Sequence, residues 1–220
     1  MHDIWQWFSA ASKYGMGLSL LLLALRFRRL PGPFRLLVLI LLNDLLTEFL
    51  STWLFRQKIN NMPLLHGYTL ASFWLYSFFF RDLFRKKMLV RRYFWWFVAI
   101  VSLLLIANTL WLEPIDGFNS KAKTLVQLFF IAYAVYYLFD AFGKTDLLQA
   151  SALATILVVM AVLIYNAGSL FIFMFAQIIT DGRLSYEAQS GLWMINSLLY
   201  FVFQLVLLLA VWIQVFKVKK

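Results

Sequence analysis

Long apolar stretches, nearly unbroken by polar residues, alternate along this chain with short clusters of charge, proline and glycine. A bilayer core needs about 20 mostly apolar residues per helix, and the clusters cut the chain into segments of that length. Seven are predicted, running approximately from Ile4 to Leu25, Phe34 to Phe55, Pro63 to Phe84, Phe94 to Leu112, Thr124 to Phe142, Leu148 to Phe175 and Gly191 to Phe216. Little sequence remains between them. The expectation is an all-α, polytopic membrane protein, a single seven-helix domain over residues 1–220 with no soluble domain.

Composition strengthens this picture, since 63% of the 220 residues are hydrophobic and the mean hydropathy is +0.79, whereas soluble domains are about 45–50% apolar. The net charge of +10 changes meaning once its positions are considered. Arg26, Arg28, Arg29 and Arg35 fill the first connection, Arg81, Arg85, Lys86, Lys87, Arg91 and Arg92 the third, Lys144 lies in the fifth, and Lys217, Lys219 and Lys220 end the chain. The alternate connections carry only Arg56, Lys58, Lys121, Lys123 and Arg183, balanced by Asp3, Glu113, Asp116, Asp181 and Glu187. Such asymmetry predicts the N-terminus outside and the C-terminus in the cytoplasm, which an odd helix count allows. The basic excess then reports orientation and attraction to anionic lipid, not nucleic acid. Trp5, Trp7, Trp53, Trp95, Trp96 and Trp111 fall near segment ends, as interfacial aromatics do. "RFRR" follows the first apolar run instead of preceding it, and no small-residue cleavage site appears, so that run is expected to stay as a helix.

The polar residues at membrane depth are the candidate chemistry. "LLNDLLTEFL" spaces Asp44 and Glu48 four apart, on one helical face, with Asn43 and Thr47 beside it and Ser51 above. Lys13, among Ser9, Ser12 and Tyr14, falls near the middle of the first segment, where an isolated ammonium costs a few kcal/mol. Pairing with Glu48 or Asp44 would offset that cost. In the third segment His66, Thr69 and Tyr76 share a face, with Ser72 close to it; the sixth brings Tyr165, Asn166 and Ser169, and the seventh Asn196, Ser197, Tyr200 and Gln204. Most lie in the outer half and could line a cavity open to the outside. Lys13, Asp44, Glu48, His66, Thr69, Asn166, Asn196 and Tyr200 are the candidate ligand-binding residues. The competing reading is interhelical glue for the Asn and Ser side chains, and a headgroup or backbone contact for His66.

No catalytic motif stands out. There is no cysteine, only His2 and His66 carry imidazole, and H-E-x-x-H, G-x-S-x-G and a glycine-rich phosphate loop are all missing. Neither enzyme chemistry nor a cofactor or metal is implied. Seven helices with the N-terminus out resemble the microbial rhodopsin plan, although "GLWMINSLLYFVFQLVLLLAVWIQVF" has no interior lysine for a retinal Schiff base. A three-plus-one-plus-three repeat, pairing Asn43 with Asn166 and His66 with Asn196, is similar in architecture to SWEET and PQ-loop transporters, without their Pro-Gln pair. "NNMPLLHGYTLASF", "LIYNAGSLFIF" and "LWMINSLLYFVFQL" resemble runs in small uncharacterised bacterial seven-helix proteins, which implies the bacterial inner membrane and no assigned activity. The expected partners are the bilayer, a small-molecule or ion ligand, and a membrane protein or second copy. Transport through an outward-facing polar cavity is the leading expectation. The alternatives are a sensor that signals through a separate protein and a structural or assembly subunit.

Overall fold

The computed structural model describes residues 2–143, 149–180 and 184–218, with the side chains of residues 2–6, 9 and 180 outside the description. The expectations placed on Asp3, Trp5, Ser9, Lys144, Asp181, Arg183, Lys219 and Lys220, and the start of the sixth segment at Leu148, therefore fall outside the described residues. All regular structure among the described residues is helical: α1 (His2–Leu25), α2 (Gly32–Arg56), α3 (Met62–Leu83), α4 (Met88–Ala107), α5 (Ser120–Phe142), α6 (Ala150–Met174), the short α7 (Ala176–Thr180) and α8 (Tyr186–Trp212). Single π turns extend α4 over Asn108–Leu112 and α8 over Ile213–Lys217. Seven long helices thus occupy the seven apolar segments. Five of them are long and apolar enough to cross a membrane: α2, α5, α6, and α4 and α8 together with their π turns. In α1 the apolar stretch Ala10–Leu25 is shorter than a full span, and α3 is diluted by polar residues, of which His66, Thr69, Ser72 and Ser77 are buried.

The chain divides into two compact units, one of residues 31–126 and the other of residues 1–30 with 127–220. One cut falls between Leu30 and Pro31 and the other inside α5. In the 31–126 unit α3 packs along α2 and against α4. Buried positions recur at helical spacing: Phe34, Leu37, Leu41 and Asp44 on α2; His66, Thr69, Phe73, Tyr76 and Phe80 on α3; Phe94, Val98, Val101 and Leu105 on α4. In the other unit α8 packs against both α1 and α6. Small residues recur every seventh position on α6, at Ala154, Ala161 and Gly168. At the last, an added Cβ would lie 2.9 Å from Cδ2 of Leu199, so glycine permits the close approach of α6 and α8.

Helix ends follow local chemistry. Pro31 and Pro33 stand at the start of α2, where a missing N–H costs nothing. Beyond its other end, Lys58 N–H donates to Phe55 (3.0 Å) and Ile59 N–H to Leu54 (3.0 Å), a Schellman arrangement that forces Lys58 to a φ of 58°. An L side chain in that conformation costs about 1–2 kcal/mol. At the start of α2 the Asp82 carboxylate rests against Gly32, on the spot a Cβ would occupy. There it meets the positive end of the helix dipole, an interaction worth about 0.3–1 kcal/mol. Gly32→Ala is expected to displace Asp82 and lower thermal stability by about that amount, and the loss should vanish in an Asp82→Ala background. Melting curves of the four proteins of this cycle measure it.

Trp7, Trp53, Trp95, Trp96 and Trp111 are all exposed, with Trp95 and Trp96 about two turns inside α4 because that helix begins at Met88.

Candidate functional site

The charged centre of the 31–126 unit is Asp44, the middle residue of α2, buried at 8% exposure. An ionised carboxylate only accepts hydrogen bonds, and in hydrocarbon it costs about 2.5–3.5 kcal/mol even on the lenient scale of membrane insertion. Its surroundings answer both demands. The Tyr68 hydroxyl donates to Oδ1 at 3.0 Å, and Lys123 is within electrostatic attraction of the carboxylate. Lys123 Nζ also sits 5.1 Å from the centre of the Tyr68 ring, so one tyrosine gives its hydroxyl to the anion and its π face to the cation. Beside this group Asn43 Nδ2 donates to Ser72 Oγ at 3.3 Å. Glu48, one turn further along α2, is exposed.

A second polar cluster lies where α3 begins, and it holds a cavity of about 280 Å³ lined by His66, Thr69, Thr109 and Asn119 among apolar groups such as Leu70 and Leu105. His66 Nε2 lies 3.2 Å from the Gly117 carbonyl, which can only accept, so that nitrogen carries a proton. Nδ1 lies 2.8 Å from the Thr109 hydroxyl. The side-chain amide of Asn119 donates to Thr69 Oγ1 at 2.7 Å and to the Leu65 carbonyl at 3.2 Å. Asn119 also accepts Lys123 N–H on its own carbonyl at 3.0 Å, as the residue before α5 should. Asn119 and Lys123 are therefore one turn apart, facing the adjacent residues Thr69 and Tyr68.

Glu113 fixes this arrangement from beneath. It is 2% exposed, and its carboxylate accepts Asn108 Nδ2 at 2.7 Å, Ser120 Oγ at 3.3 Å, Lys121 N–H at 2.9 and 3.1 Å and Ala122 N–H at 3.4 Å. The first turn of α5 leaves N–H groups without helical partners, and an anion there is favoured by both hydrogen bonding and the dipole. The π turn after α4 closes through Glu113 N–H to Asn108 O, 2.8 Å, delivering the glutamate to that end. Such turns are frequent at functional sites.

The remaining candidates belong to the other unit. Lys13 is exposed on α1. Asn166 Nδ2 is spent on the Val162 carbonyl of its own helix at 2.7 Å. The Tyr200 hydroxyl contacts Met16 Sδ at 3.6 Å and its ring packs edge-on to Tyr165. Asn196 Oδ1 and both amide atoms of Gln204 are buried without a hydrogen-bond partner among the described residues.

The structure thus brings His66 and Thr69 into one cavity lining and places Asp44 against Tyr68 and Lys123, while Glu48 is exposed. Lys123 corrects the sequence reading. It is no connection residue; it belongs to the first turn of α5. Tyr68, Asn108, Thr109, Glu113 and Asn119 were also missed. "FNSKAK" held the signal, because Asn119 and Ser120 are helix-starting residues and beginning the helix there puts Lys123 one turn inside it. Among the described residues no three of His, Asp and Glu group as a metal site. The chain matches no family model, no curated protein and no solved structure, so its functional reading stands on its own residues.

Proposed function

We propose that this chain is a seven-span membrane protein, N-terminus outside and C-terminus in the cytoplasm, that binds a small ligand or ion from the outer side for transport, with Asp44 as the group that takes up a cation or proton. The observation that carries the reading is the buried Asp44 at the midpoint of α2, held by Tyr68 and attracted by Lys123. Ionisable groups at that depth mark ion and substrate paths more often than packing. The cavity beside His66, Thr69 and Asn119 supplies a ligand-sized space in the same unit. Five helices apolar enough to cross support the membrane assignment. For α3, its buried polar groups explain why hydropathy alone undercounts it. The lysines and arginines of the predicted inner connections support the orientation, and a bacterial inner membrane agrees with the sequence resemblance.

The chain has no native cysteine, which makes topology directly testable. A single cysteine at Gln57 is expected to react with a membrane-impermeant maleimide added to intact cells, and one at Lys86 only after the membrane is opened. The reverse pattern would invert the orientation. Transport itself is tested in proteoliposomes by following protons, Na⁺ and K⁺ with wild type and Asp44→Asn.

A further inference from the structure

A second, larger cleft lies in the 31–126 unit at the opposite end of α3, about 490 Å³ in volume and lined by Leu36, Phe78, Arg81, Asp82, Arg85, Val90 and Arg91. Three guanidinium groups and one carboxylate line it, and that carboxylate rests against Gly32 at the start of α2. No ion pair or side-chain hydrogen bond among the described residues occupies Arg81, Arg85 or Arg91. Arg81 is nonetheless held in place, its guanidinium stacked 4.8 Å from the Phe94 ring centre and 5.3 Å from that of Trp95. Stacking leaves the planar edge of the fork, with its N–H donors, free to meet a second group. Arg81 is held by this stacking, and with Arg85 and Arg91 in the same lining the cleft carries three guanidinium groups, whose planar forks match the oxygens of a phosphate, which arginine binds in bidentate fashion.

The surroundings indicate where such a phosphate comes from. Met88, Leu89, Trp95 and Trp96, on the same helix as the lining residues Val90 and Arg91, are all more than half exposed and flank Arg91 and Arg92 in sequence. Apolar and indole surface beside cations is the composition of a segment at the headgroup level of a bilayer, and basic pockets on the cytoplasmic side take anionic headgroups. We propose that this cleft binds a phosphate group through Arg81, Arg85 and Arg91, presented by the headgroup of an anionic phospholipid. Only the leaflet depends on the orientation proposed above; binding itself does not, and it is measured in micelles, where failure of the transport reading leaves it unaffected.

The test uses the full chain in neutral detergent, titrated separately with phosphatidylglycerol, phosphatidylcholine and inorganic phosphate and read by native mass spectrometry. Wild type is expected to retain phosphatidylglycerol over phosphatidylcholine, and Arg85→Gln/Arg91→Gln to weaken that retention about tenfold or more. Arg92→Gln, whose side chain lies over Tyr93 and outside the cleft lining, should change it by less than about twofold. Displacement of the lipid by inorganic phosphate would show that the phosphate group alone is recognised; phosphatidylglycerol binding without such displacement would assign the site to the lipid. Circular dichroism checks the fold, and should the double variant fail to fold, Arg91→Gln alone carries the same expectation at smaller size. Equal retention of the two lipids with no phosphate binding would overturn the proposal. So would full retention by a folded cleft variant, or a loss in Arg92→Gln as large as in the cleft.

Discussion

Glu113→Ala is expected to destabilise the protein by about 3 kcal/mol, roughly the cost of orphaning buried partners of a charged group. The substitution strips the first turn of α5 of its carboxylate and leaves the Asn108 amide and the Lys121 and Ala122 N–H groups without their shared acceptor. Since the start of α5 positions Asn119 just before it and Lys123 in its first turn against α3, the loss should spread to the His66 cavity as well as to the helix end. Glu113→Gln retains one oxygen acceptor and should cost about half as much. Thermal unfolding in detergent checks the ranking, and equal melting of wild type and Glu113→Ala would show that the carboxylate is dispensable.

Lys123→Met should be damaging in a different way, because it leaves Asp44 buried beside Tyr68 with its attracting cation removed. Taking one partner from a buried pair typically costs about 3–5 kcal/mol, whereas removing both charges is often close to neutral. The single variant is therefore expected to melt well below wild type, and Lys123→Met/Asp44→Asn to recover most of the loss. A double variant no better than Lys123→Met would mean that the two charges do not stabilise each other. Tyr68→Phe removes only the 3.0 Å donor and should fall between, at about 1.5–3 kcal/mol for a hydrogen bond to a charged group.

The seven apolar segments were legible because length and hydropathy depend on composition alone, and each carries a long helix, although α4 and α8 begin about a turn and a half before Phe94 and Gly191. Asp44 could be singled out for the same reason, as a charge in an apolar run is conspicuous without any neighbours. Its partners were hidden by two kinds of ambiguity. Tyr68 is an ordinary amphipathic residue in membranes, and only its position across from α2 makes it a donor. Lys123 sits at the seam between connection and helix, where a shift of one turn converts an interfacial cation into an electrostatic partner. Glu113 looked like a loop acid balancing outer charge. What distinguishes it is a π turn, and such a turn leaves no mark in periodicity. Asp44 and Glu48 share a spacing, yet one is buried and the other exposed, since a four-residue interval fixes direction around the helix and not what lies opposite.

The most direct measurement of the central claim is ion flux into proteoliposomes containing wild type or Asp44→Asn, with trapped dye for protons and tracer for Na⁺ and K⁺, after gel filtration has shown both proteins folded. The account predicts protein-dependent uptake of at least one of these cations, reduced about tenfold or more when the carboxylate is neutralised. Wild-type vesicles no more permeable than empty ones, or uptake that persists unchanged in folded Asp44→Asn, would contradict it.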